Sequence, residues 1–139
     1  MNYSKIINKL KNKEKIPLYG NGENIRDWIY VKDHVNALIN VLLDGIVGKQ
    51  YLIGGNNEIS NIQLIHSIVA AYENITNQKV DWEWFEYVAD RKGHDFRYAI
   101  DDSKLNQLGF RESIQFENGI IGTIKWYESN KNWWSIGKF

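Results

Sequence analysis

The side chains of this 139-residue chain best suited to chemistry are those that can meet an oxyanion. Arg26 stands at the edge of a β-forming run beside a turn, and Arg91 follows a second such run and opens a polar loop. A guanidinium offers paired donors at fixed geometry and so suits phosphate. Taken alone, each is more often a surface or ion-pair arginine. Asn61 opens a helical run, where its ordinary role is a cap; a helix N-terminus also attracts anions, so the two roles are compatible. His94 lies between Asp90 and Asp95, either of which can hold it as a plain loop histidine. Tyr19, just after Pro17, reads locally as a core aromatic. There are no cysteines, which removes disulfides, thiolate nucleophiles and thiolate metal sites together. His34, His66 and His94 are too far apart in sequence for the close-spaced pairs that metal sites favour, so no metal is expected. Asp101-Asp102 is better explained as a strand end and a helix cap than as a catalytic pair.

The elements that must position these residues follow from periodicity. Ile6, Ile7 and Leu10 recur at helical spacing within Tyr3 to Lys13, and the helix ends before Pro17. Tyr19-Gly20-Asn21-Gly22 is a turn, Asp27 to Val31 a strand, and Asp33 the cap of a helix whose inner face carries Val35, Leu38, Ile39 and Leu42. Gln50 to Ile53 is expected as a second strand. Ser60 or Asn61 caps a helix with Ile62, Ile65, Ile68, Val69 and Tyr72 inward. Phe85 to Ala89 and Arg97 to Ile100 are further strand candidates around the polar loop Asp90 to Asp95. A short helix begins at Asp102 or Ser103 and stops at Gly109, and the last runs from Phe116 to Ser129, closed by Trp133-Trp134. Short strands alternating with helices indicate an α/β domain, one unit over 1–139. The strands are too few and short for a self-sufficient doubly wound sheet.

Lys and Arg number 17, as do Asp and Glu, so no bulk attraction to nucleic acid or to an anionic membrane is expected. No apolar run approaches the roughly 20 residues that span a bilayer. The Lys- and Asn-rich start is unlike a secretory signal, and a cytoplasmic location is expected. Aromatic residues make up 14%, with six Trp, so some rings are expected to face a ligand or partner.

Three blocks carry a family resemblance. They are Pro17-Leu18-Tyr19-Gly20-Asn21-Gly22 through Ile25-Arg26-Asp27-Trp28-Ile29-Tyr30-Val31-Lys32-Asp33-His34; Tyr51-Leu52-Ile53-Gly54-Gly55-Asn56-Asn57-Glu58 on to Asn61; and Val88-Ala89-Asp90-Arg91-Lys92-Gly93-His94-Asp95-Phe96-Arg97-Tyr98 on to Phe110. From Pro17 to Trp134 the chain resembles the C-terminal, substrate-binding region of dTDP-glucose 4,6-dehydratases, in the extended short-chain dehydrogenase/reductase superfamily. The first block is shared across that superfamily, whereas Ala-Asp-Arg-x-Gly-His-Asp is typical of the 4,6-dehydratase branch.

The resemblance implies a nucleotide-sugar site. Arg26 and Arg91 would meet the diphosphate, Asn61 the nucleotide part, and Tyr19 with Pro17 the base, while Asp90, Arg91 and His94 would lie at the substrate. At Lys92 the family generally has proline, so this loop loses a rigid φ and gains a cation. Family enzymes oxidise the sugar at C4, eliminate water across C5 and C6, and return the hydride at C6 with tightly held NAD. The resemblance places the catalytic residues and the cofactor fold upstream of this chain, so no cofactor is expected here. No Gly-x-x-Gly-x-x-Gly turn is present. Nor is the proton-abstracting Tyr-x-x-x-Lys expected; Tyr19, Tyr30, Tyr51 and Tyr72 have no lysine four residues on. The expectation is a truncated nucleotide-sugar-binding portion, inactive alone. The alternatives are half of a split enzyme completed by a separate NAD-binding chain, a non-catalytic binding module, or a piece of a UDP-sugar dehydratase, epimerase or decarboxylase. The ligand would be a dTDP-sugar or UDP-sugar. With its other half absent, exposed Trp and Ile side chains would favour self-association.

Overall fold

The computed structural model describes residues 3–90, 93, 95–131 and 133. In chain order its elements are α1 (Tyr3–Asn12), β1 (Ile16–Tyr19), β2 (Ile25–Asp27), α2 (Val31–Asp44), β3 (Glu58–Ser60), α3 (Asn61–Thr76), β4 (Phe85–Val88), α4 (Ser103–Gln107) and α5 (Phe116–Ser129). The strands make two two-stranded sheets, β1 parallel to β4 and β2 antiparallel to β3. This is an α/β arrangement of helices with few short strands, as expected.

The main core is built by helical periodicity. Ile6, Ile7 and Leu10 of α1 meet Leu64, Ile65, Ile68, Val69 and Tyr72 of α3 and Ile120 and Ile124 of α5, all buried. Fully burying each such aliphatic side chain contributes about 1.5–3 kcal/mol relative to exposure. Ser60 caps α3 through a capping box: its Oγ accepts from Gln63 N, while the Gln63 side chain accepts from Ser60 N. The left-handed Asn77 ends α3.

Strand β1 was not foreseen. Ile16 and Leu18 point into the core, and Pro17 and Tyr19 share the other, half-buried face. Pro17 has no N–H to donate, which an edge strand with a single partner tolerates. Gly22 follows at φ +78°, where a Cβ would lie 2.8 Å from Leu18 Cδ1. The turn out of β1 therefore needs glycine.

Tertiary context overrode several local expectations. The strand expected over Asp27 to Val31 is instead Ile25–Asp27, because pairing with β3 supplies its ladder and Tyr30 already starts the next helix. Asp33 does not cap α2. It lies within the first turn, 1% exposed, accepting from Ser113 Oγ at 2.7 Å, Ser113 N at 3.3 Å and Ile114 N at 3.0 Å. The face carrying Val35, Leu38, Ile39 and Leu42 is outward; Ala37, with half-buried Val41, packs on Leu105, Phe110 and Ile53. Gln50 to Ile53 forms no strand, having no ladder partner among the described residues. Arg97 to Ile100 is reduced to one bridge, Ile25 with Arg97. Phe85–Val88, the short helix before Gly109 and the helix Phe116–Ser129 lie where periodicity put them. Trp133 stacks edge-on against Trp126 with ring centroids 5.5 Å apart, and Trp134 lies outside the described residues.

Candidate functional site

The parallel pairing of β1 with β4 sets Tyr19 opposite Val88, and Gly20 N donates to Val88 O at 2.9 Å. Both chains turn there, so Gly20 and Asp90 are neighbours: a Cβ on Gly20 would stand 3.5 Å from Asp90 Cβ. Asn24, 6% exposed, donates from Nδ2 to Asp90 Oδ2 at 3.2 Å. Its carbonyl accepts from Asn61 N at 3.0 Å, so Asn24 ties the β4 end to the start of α3.

Asn61 occupies the first position of α3, with Ser60 as the cap. The helix N-terminus is spent on the protein: Asn61 N on Asn24 O, Ile62 N on Gly22 O at 3.0 Å, and Gln63 N on Ser60 Oγ at 3.3 Å. Any ligand contact here therefore falls to the Asn61 side chain. That side chain is 6% exposed, and its Oδ1 is buried without a hydrogen-bond partner among the described residues. A buried amide oxygen left so is costly, which marks the position as one awaiting a donor.

Arg26 projects from β2, half-buried. Its Nη2 donates to Asp95 O at 3.0 Å and its Nη1 to Phe96 O at 3.3 Å, with Cζ 4.3 Å from the Tyr98 ring centroid. Ile25 N donates to Phe96 O at 2.8 Å and Tyr98 N to Ile25 O at 3.3 Å, so the segment 95–98 lies alongside β2. Beside it Arg97 Nε meets Glu58 Oε2 at 2.6 Å, which holds the Glu58 carboxyl below its usual range. The Tyr98 phenol is pushed up, chiefly by its hydrogen bond to Asp95.

Of the residues expected at the site, Tyr19, Asp90, Asn61 and Arg26 are thus linked through Asn24 and β2, with Pro17 on the strand face that carries Tyr19. Arg91 and His94, and Lys92 between them, lie outside the described residues. Asn24 was missed, since nothing in its spacing separates it from other turn asparagines. Asp27 was missed as well: its carboxylate accepts from Gly55 N at 2.7 Å and Asn57 N at 2.9 Å and so holds the second block against the first. Gly55 admits this approach, because a Cβ there would lie 2.1 Å from Trp28 O.

A cleft of 860 Å³ opens elsewhere, between Trp28–Lys32 and α5, lined by Trp28, Tyr30, Phe116, Trp126 and others. None of the expected site residues lines it. Four carboxylates gather behind the second block. Glu112 is pushed up first by burial, an effect opposed by a side-chain hydrogen bond with Asn56 and reinforced by Asp27, Asp33 and Asp102, and Asn57 Nδ2 lies 3.3 Å from its Oε2. No group of three or more potential ligands suited to a metal occurs among the described residues.

The spacing Tyr-x-x-x-Lys does occur once, at Tyr127 and Lys131, which corrects the expectation that it is absent. These two do not share a helix face, because α5 ends at Ser129 and Asn130 has left helical geometry at φ −115°, ψ 52°. Tyr127 packs on Trp126 and the main core.

The family model for GDP-mannose 4,6 dehydratase matches residues 2–123. The chain belongs to this family. Among its relatives is the Escherichia coli dTDP-glucose 4,6-dehydratase, 48% identical over 135 residues, which cover 93% of this chain and 37% of the relative. Two solved family structures share the fold. The dTDP-glucose 4,6-dehydratase of Streptomyces venezuelae, solved with NAD bound, superposes with a TM-score of 0.85 at 36% identity, over 94% of this chain and 39% of that one. That of Bacillus anthracis, in complex with NAD, gives 0.84 at 38% identity, over 96% and 41%. The chain thus spans well under half the length of its family relatives. The Gly20-Asn21-Gly22 turn after β1 leads into β2, not into a helix N-terminus of the kind that cradles a pyrophosphate. No helix among the described residues is long and apolar enough to cross a membrane.

Proposed function

We propose that this chain is the nucleotide-sugar-binding portion of a dTDP-glucose 4,6-dehydratase, inactive alone. Tyr19 and Pro17 offer a flat, half-buried surface to a pyrimidine base, Asn61 an amide to the nucleotide, and Arg26 with Arg91 a cationic edge to the diphosphate. Asp90 and His94 border the sugar. The observation that carries the reading is the Asn61 carboxamide, buried with an unpartnered Oδ1 and joined through Asn24 to Asp90. A thymine or uracil ring carries an N–H donor of the kind that oxygen lacks. A working enzyme would need NAD, an acid and a base from residues this chain does not carry, and the protein would act in the cytoplasm on a soluble sugar nucleotide.

Calorimetric titration tests this directly. The expected result is heat on adding dTDP or dTDP-glucose, weaker or comparable heat with UDP and UDP-glucose, and none with NAD. Flat titrations with all four pyrimidine ligands would overturn the proposal, and tighter binding of the UDP pair would move the substrate class to UDP-sugars.

A further inference from the structure

Three consecutive residues, Asn24, Ile25 and Arg26, hold both ends of the segment from Asp90 to Phe96. At the far end Ile25 N donates to Phe96 O at 2.8 Å, and Arg26 reaches the carbonyls of Asp95 and Phe96. At the near end Asn24 Nδ2 donates to Asp90 Oδ2 at 3.2 Å. Asn24 is itself fixed on both sides. Its carbonyl accepts from Asn61 N at 3.0 Å, and the turn that delivers it is closed by Gly22 N on Tyr19 O at 3.0 Å and by Glu23 N on Asn21 Oδ1 at 3.1 Å. Glu23 turns to the Asn21 amide and Arg26 to its two carbonyls, while the Asn24 amide meets Asp90. Asn24 is only 6% exposed, so water competes little for that bond.

One residue thus ties together two ends of the proposed site, Asn61 at the nucleotide and Asp90 at the sugar. The two ties are separable, because substituting the side chain leaves the Asn24 carbonyl on Asn61 N and releases Asp90 alone. A carboxylate has about four lone-pair sites, so one amide donor sets its orientation and leaves capacity to accept from sugar hydroxyls. A neutral amide also aims the carboxylate without cancelling its charge, which a lysine or arginine in its place would do.

We infer that Asn24 is a positioning residue that aims the Asp90 carboxylate at the sugar, in register with Asn61, and so sets affinity for the sugar end of the ligand and not for its nucleotide. The inference rests on the nucleotide-sugar reading of this site. Calorimetry of the full chain with dTDP and with dTDP-glucose tests it. In Asn24→Ala, dTDP-glucose is expected to bind about tenfold more weakly, as befits one misplaced acceptor, while dTDP stays within about twofold of wild type. Asn24→Asp should show the same loss at about pH 8, where two carboxylates at hydrogen-bond distance repel. Lowering the pH to about 5 should restore its dTDP-glucose binding toward wild type at the same pH, since the pair then shares a proton and an O–H replaces the amide N–H. Asn24→Ala has no proton to share and should not recover, a difference that a merely structural role would not produce. Circular dichroism checks that each variant is folded. Asn24→Ala buries no charge, and its contrast between the two ligands carries the test if Asn24→Asp does not fold. Unchanged dTDP-glucose affinity in Asn24→Ala, equal loss of both ligands, or a folded Asn24→Asp that fails to recover at low pH overturns the inference and leaves the nucleotide reading standing. Wild type that binds neither ligand overturns both.

Discussion

Arg26 spends its guanidinium on two tasks. Its contacts with the carbonyls of Asp95 and Phe96 and with the Tyr98 ring fix the segment that leaves the loop bearing Arg91 and His94. In the proposed function the same cation faces the diphosphate. Removing it by Arg26→Ala should weaken dTDP binding about ten- to a hundredfold, the worth of one charge-assisted hydrogen bond of ~1.5–3 kcal/mol, as read by calorimetry. Arg26→Lys should rescue little, because an ammonium cannot hold two carbonyls and a ring face together. Glu112 carries a pH prediction. Burial raises its carboxyl in the folded state, so its contribution to stability is fully present below the ordinary glutamate range and is lost as pH rises through the raised value. Glu112→Gln should therefore raise Tm at neutral pH, and its advantage should shrink as pH falls into the ordinary glutamate range. A pH series of thermal melts checks this; an advantage independent of pH would contradict it. Of these residues, Arg26 was legible from its motif, whereas Glu112 was not: its shift comes first from burial and then from carboxylates distant in sequence, both of which only folding brings about.

At the scale of elements, the capping box of α3 does more than start a helix. With Ser60 holding Gln63 N, the amides of Asn61 and Ile62 are free to bind Asn24 O and Gly22 O, which locks the turn after β1 to the helix. Ser60→Ala should cost about 1 kcal/mol of stability, the usual worth of an N-cap, lowering Tm in a thermal melt. Helices α1, α3 and α5 were readable from periodicity, since their apolar spacing matches the core they meet. Strands were not. Ile16–Tyr19 is only four residues with a proline inside, and it becomes a strand through its pairing with Phe85–Val88. Gln50–Ile53 has the better composition and no partner among the described residues, because β-pairing depends on a neighbour that sequence does not name.

At the scale of the molecule, the hydrophobic surface is unevenly spent. One core joins three helices and is well covered, whereas α2 presents an apolar strip and Tyr87, Phe96 and Tyr98 are 70%, 57% and 45% exposed near the candidate site. The isolated chain should neither bind NAD nor convert dTDP-glucose; accumulation of a 4-keto-6-deoxy sugar in a chromatographic assay would refute this. The single Tyr-x-x-x-Lys, Tyr127 to Lys131, straddles a helix end, so it gives no reason to expect otherwise.

The sequence by itself determined the family, the helices of the main core and the residue types suited to a sugar nucleotide, because motif spacing and helical period are local properties. Tertiary structure alone decided that Asn24 joins Asp90 to Asn61, that Asp33 anchors Ser113 and Ile114 instead of capping, and that one apolar face of α2 points outward. Those outcomes depend on which distant segment arrives as a partner. For the outer face of α2, none among the described residues does.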